Sequence, residues 1–154
     1  MDDEKLFGML EECIAHAVGF LENDEPLHPF AMTLEADDTA QHLTLEEPDP
    51  EKRYMALLEA LKAEARTGKI KAAVLLARVT IPENFNPDVP EGLRLHVEER
   101  SSASEKLAAR FLYVPYQLYR RKGDTKVSVH LHHPIPVGFP SEIFAPESEA
   151  RTSL

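Results

Sequence analysis

The sequence predicts one α+β domain, an antiparallel five- or six-stranded sheet with two helices in the order αββαβββ(β). Three observations predict it. Residues 3–22 and 50–67 repeat apolar side chains every three or four positions, the period of a helix face. Runs at 29–35, 40–46, 93–99 and 125–132 alternate with the period of two that marks a strand. The length, 154 residues, suits a single domain able to bury a sizeable core.

In the first helix Leu6, Leu10, Cys13, Ile14, Ala17, Val18 and Leu21 share one face, and Asp2 is placed to cap the first turn. The helix should stop by Asn23, before Pro26. Cys13 lies on the apolar stripe with no basic residue beside it, so it reads as a core thiol. A hairpin follows. Phe30, Met32 and Leu34 alternate with Ala31, Thr33 and Glu35, Asp37 and Asp38 supply the turn, and Leu43 and Leu45 repeat the alternation on the return.

The second helix has the plainest signals. Asp49 is an N-cap, Pro50 fits the first helical position, and Gly68 suits the left-handed residue that ends a helix. Its buried stripe is Tyr54, Leu57, Leu58, Leu61 and Ala65. Residues 70–81 are a different kind of strand. The run 72–77 is apolar on both faces, as a central strand covered on both sides must be. A second copy of the chain is one way to supply the second cover.

Pro82 ends that strand, and a loop carries the chain to 92. In 93–99, Leu93, Leu95 and Val97 are expected to face in and Arg94, His96 and Glu98 out. A polar turn at 100–106 leads into an aromatic-rich strand, 107–118, followed by a basic turn at 119–124. In the last strand Val127, Val129 and Leu131 are expected inward and Ser128, His130 and His132 outward. Three prolines between 134 and 140 argue for extended chain without a regular ladder. The domain is expected to span 1–144, with a flexible C-terminal tail at 145–154.

The order helix, hairpin, helix, meander along residues 3–118 resembles profilin-like and roadblock-like domains. The roadblock resemblance implies a homodimeric scaffold. The stretch Pro29-Phe30-Ala31-Met32-Thr33-Leu34-Glu35-Ala36-Asp37 is similar to one in a small uncharacterised bacterial protein family, which implies a bacterial cytoplasmic origin and supplies no activity.

The net charge of −10 is unevenly placed. Residues 1–50 carry fourteen acids and one base, a net −13, while 51–154 carry thirteen acids and sixteen bases, a net +3. The acidic third repels phosphates, which argues against nucleic acid, and attracts a basic protein surface. One cysteine permits no internal disulfide and fits a reducing compartment. No apolar run approaches a membrane span, and the acidic start is unlike a signal peptide, so no membrane association and a cytoplasmic location are expected.

Chemistry has few places to reside. His130 and His132, two apart on a strand, point to one side and are metal-ligand candidates, with His96 as a third if the strands are near neighbours. Solvent-facing histidines are the plainer reading. Phosphate-binding glycine loops, G-x-S-x-G, H-E-x-x-H and C-x-x-C are missing, and no cofactor is implied. The paired acids Asp37-Asp38 and Glu46-Glu47 are adjacent, so on a strand they point apart and make poor acid–base pairs. A hairpin turn and solvated ends explain them better, and as surface acids they are the contact candidates for a basic partner. Arg120, Arg121 and Lys122 form the one basic run; three charges beside Tyr116 and Tyr119 are few for single-stranded nucleic acid and suit an acidic protein partner or a second copy.

The function expected first is therefore a non-enzymatic protein–protein interaction module or homodimeric scaffold. The second is an acidic, immunity-type inhibitor of a basic toxin, and the third a metal-dependent enzyme using His130 and His132.

Overall fold

The computed structural model describes residues 3–145. Asp2, the expected cap, and 146–154, nearly all of the expected tail, lie outside the described residues. The chain folds as α1 (Asp3–Glu22), β1 (Phe30–Glu35), β2 (Ala40–Leu43), α2 (Pro50–Thr67), β3 (Ile70–Thr80), β4 (Glu91–Glu99), β5 (Ala109–Tyr119), β6 (Ser128–Leu131) and β7 (Ile135–Phe139). The α+β class and antiparallel sheet follow the expectation. Seven strand segments replace the expected five or six.

The sheet order is β2-β1-β3-β4-β5-β6, and β7 also pairs with β5. β6 and β7 lie end to end along one side of β5. Tyr116 pairs with Leu131 and Tyr113 with Ile135, so the register slips by one residue between them. That slip is a bulge, and the His132 N–H donates across it to the Pro115 carbonyl (2.8 Å). The stretch expected to be irregular is thus a strand, with Pro136 opposite Leu112. β7 is an outermost strand, where a residue without an N–H is tolerated.

The two helices cover opposite faces. Beneath α1, Leu6, Met9, Cys13, Ala17 and Leu21 pack on Met32, Val74, Leu76, Leu93 and Leu95. Beneath α2, Leu57, Leu58, Leu61 and Ala65 pack on Ala31, Ala73 and Leu75. β3 is therefore dry on both sides, as its double-sided apolar run requires. Both covers come from the chain itself, so the second face needs no partner to bury it.

α2 is delimited as its residues dictate. The Asp49 side chain accepts from the Glu51 N–H (3.0 Å) and the Lys52 N–H (3.5 Å), Pro50 opens the helix, and Gly68 closes it at φ 79°. Arg100 then donates to the Ala65 carbonyl (2.6 Å) and the Ile70 carbonyl (2.9 Å), joining the helix end to the start of β3. The Asp37-Asp38 turn forms too. Asp38 sits at φ 71°, Asp37 accepts from the Thr39 N–H (3.0 Å), and Lys71 pairs with Asp38. Among the described residues no helix is long and apolar enough to cross a membrane.

Leu75 is fully buried between α2 and the sheet. Leu75→Ala is expected to cost about 2–5 kcal/mol, read as a lower urea midpoint at unchanged m-value.

Candidate interaction surface

The expected outward face of β4 is an interior face. His96 and Glu98 are each only 1% exposed. They share their face with Leu75 and Phe111, their neighbours on β3 and β5, so α2's side of the sheet is what covers them. The chain after β7 completes that cover, with Ile143 and Phe144 joining the α2 core.

Glu98 organises the closure. One oxygen lies 2.5 Å from His96 Nε2. The carboxylate also accepts from Ser141 Oγ (2.8 Å) and from the backbone N–H groups of Glu142 (3.0 Å), Ile143 (2.9 Å) and Phe144 (3.2 Å). Burial pushes its pKa up, but the His96 hydrogen bond, the Ile143 N–H, the Ser141 hydroxyl and the His96 charge outweigh it, leaving the carboxyl below its ordinary 4.5. The His96 ring stands edge-on to Phe139 (5.0 Å) and Phe111 (5.4 Å). An imidazole beside a carboxylate can act as a general base, but a pair walled in by aromatic rings has no room to meet a substrate. Its work is to fasten 141–144 to the sheet.

The metal candidates are separated. His130 and His132 do stand together, ring centroids 4.7 Å apart. His96 is elsewhere. It lies opposite Phe111 and His130 opposite Gln117, six residues along β5 or about 20 Å. His132 is already engaged, its Nε2 2.9 Å from Gln117 Oε1 and its Nδ1 3.3 Å from Asp88. Among the described residues no three His, Cys, Asp or Glu side chains converge as metal ligands would.

The acidic candidates hold local structure. Asp37 is kept below the usual carboxylate range mainly by its hydrogen bonds from Thr39. Glu47 accepts from the Asp49 N–H (3.3 Å) and offers its carbonyl to Arg53 (2.6 Å), while Glu46 is exposed. Arg120, Arg121 and Lys122 are all exposed in the turn after β5.

That turn ends a projecting arm. β4 last pairs with β5 at Gly92 and Pro115, and residues 116–119 run on with β6 alone. Of the six large apolar side chains exposed among the described residues, Leu118 (44%), Tyr119 (44%) and Leu131 (39%) lie on this arm. Leu131 lies on the same face of β6 as Val129, as expected, but only Val129 packs against the α1 core, and Leu131 is left 39% exposed. Two of the remaining three, Phe7 and Leu107, flank a groove of about 390 Å³ between α1 and β5, rimmed by Glu99, Glu105 and Arg110.

Sequence reasoning missed the Glu98 fastening because a lone Glu in an alternating strand reads as solvent-facing. The available signal was the apolar pair Ile143-Phe144 shortly after Pro140, which needed a place to be buried.

Two predictions follow from these burials. Because Glu98 titrates lower when folded, the unfolded chain takes up its proton first as pH falls. Its stabilisation is therefore complete above the ordinary value of 4.5 and drains away as pH drops towards the lower folded value. Glu98→Gln puts an amide donor against converging N–H groups and is expected to cost ~3 kcal/mol at pH 7. Melts between pH 7 and 3 should show a flatter pH dependence in this variant than in wild type. Cys13, fully buried, has its thiol pushed up to about 12 by burial and by the Glu12 charge. A thiol-reactive disulfide reagent should label it only in denaturant; prompt labelling of folded protein would contradict its burial.

No family model, no curated protein and no solved structure matches this chain.

Proposed function

We propose that the protein is a non-enzymatic protein-interaction module and that the β5–β6 arm is its contact surface. The observation that carries this reading is the exposure of Leu118 and Leu131 on one face of the arm and of Tyr119 on the other, beside the Arg120-Arg121-Lys122 turn. Apolar and tyrosine side chains next to arginine are the composition of interface hot spots, because they bury large area and pair charge at little entropic cost. The buried His96–Glu98 pair supports the same reading, since that acid–base couple is spent on structure. A homodimeric scaffold is the form of this reading in which the partner is a second copy. The basic arm of one protomer would then meet the acidic body of another.

The test is charge reversal. Arg120→Glu, Arg121→Glu and Lys122→Glu together touch no core residue, so the melting temperature should hold. Immobilised wild-type protein should retain specific partners from a lysate of the source cells, with retention weakening as salt rises, and the triple variant should lose them. An unchanged set of retained proteins would remove the arm from the contact. Sedimentation of both proteins over a concentration series separates a second copy from a foreign partner.

A further inference from the structure

We propose that the arm binds its partner by strand addition: an extended, acidic segment of another protein pairs along the open side of β5 at residues 116–119. This rests on the reading of the arm as the contact surface and goes beyond it by naming the mode and the partner's chemistry.

The open side begins where β4 ends. β4 reaches β5 only as far as the Gly92–Pro115 rung. One residue before β4 begins, Pro90 has no N–H to give, and its carbonyl accepts from the Ile81 N–H (2.7 Å) on the β3 side. β5 meanwhile runs on through Tyr116, Gln117, Leu118 and Tyr119, which pair with Leu131, His130, Val129 and Ser128 of β6. Backbone groups of successive strand residues point to alternate sides. The Pro115 carbonyl points at His132, on the β6 side. Gln117 and Tyr119 follow it, and Leu118 directs its N–H and C=O the other way. No strand among the described residues lies there.

A cavity of about 320 Å³ occupies the gap, lined by Val89, Pro90, Glu91, Tyr116, Gln117 and Leu118. Tyr116 also bounds a second space of about 290 Å³ with Arg78, Thr80 and Glu91. Tyr116 is 1% exposed, and its hydroxyl, close to Arg78, makes no hydrogen bond of good geometry among the described residues. A buried hydroxyl left unpaired costs free energy, and a peptide laid in the gap can supply the missing partner. An unpaired donor and acceptor on a strand edge, an orphaned hydroxyl beside it and a side chain such as Leu118 turned outward are what an added strand uses.

Other edges are less suited. The outer side of β6–β7 is interrupted by its bulge and by Pro134 and Pro136, devices that keep strands from adding. β2 exposes no large apolar side chain. Charge selects the partner. Residues 120–126 carry four bases and one acid, a net +3, on a chain whose total is −10. An acidic segment is drawn to the arm, while a second copy brings the same positive tip.

The probe is a fluorescein-labelled peptide of about eight residues in which Glu alternates with Val; the same pattern with Lys for Glu is the control. Fluorescence anisotropy should show saturable binding of the acidic peptide and at least roughly tenfold weaker binding of the basic one. Leu118→Pro removes the outward N–H and no rung to β6, so it should keep the wild-type melt and weaken the acidic peptide by about tenfold. In wild-type protein the Leu118 amide should exchange rapidly with solvent alone and slowly under saturating peptide. A Leu118 amide already protected without peptide would overturn the proposal, as would equal binding by Leu118→Pro or by the basic peptide. Self-association abolished by Leu118→Pro, without peptide binding, would replace the acidic partner by a second copy. If Leu118→Pro still retains the lysate partners that the charge-reversed arm loses, strand addition fails while the interaction reading survives.

Discussion

Everything in this structure follows from the need to keep water off both faces of β3. A strand whose six successive residues, 72–77, are all buried is stable only inside a three-layer arrangement. α1 closes one face with its apolar stripe. α2 packs over β1 and β3 on the other face, and the rest of that face needs a further cover. The chain after β7 supplies it, and a single carboxylate holds that cover down. Glu98 is thus the point where hydrophobic closure depends on a polar contact. It is buried at the cost of desolvation, and the converging N–H groups of 142–144 and the His96 ring offset that cost.

The same economy bears on the proposed contact surface, which lies away from the core. Several interior polar groups are engaged: His96 with Glu98, Arg100 with the end of α2, Arg94 with its guanidinium over the rings of Phe111 (4.6 Å) and Tyr54 (5.2 Å), while Arg94 Nε and the Tyr116 hydroxyl lack hydrogen-bond partners of good geometry among the described residues. Recognition needs only surface, and the arm offers surface that the three-layer body does not require for its own stability.

Local signals made the elements legible. The Asp49 cap, Pro50 and Gly68 fixed α2 to the residue, because each acts through its own backbone and no tertiary contact competes. The double-sided run at 72–77 announced a covered central strand for the same reason. The failures were all questions of what lies over what. Alternation in β4 separates its two faces but cannot say that both are covered, so His96 and Glu98 read as solvent-facing and His96 became a metal candidate. Proline spacing at 134–140 read as ladder-breaking, although an outermost strand has one side on which a missing donor is harmless. The basic run at 120–122 was visible, but its position at the tip of an unsupported hairpin depends on where β4 ends, which no local pattern records. The resemblance to profilin-like and roadblock-like domains rested on element order alone, and no solved structure matches the chain.

The bulge at the junction of β6 and β7 has a mechanical consequence. It divides one long partner of β5 into a section gripped by the sandwich and a section that hangs beyond it. The outer section has only four rungs and rests on α1 through Tyr116 and Val129. A short ladder at the margin of a sheet opens at lower free energy than a strand held on both sides, so this section is expected to be the first part of β5 to exchange its amides.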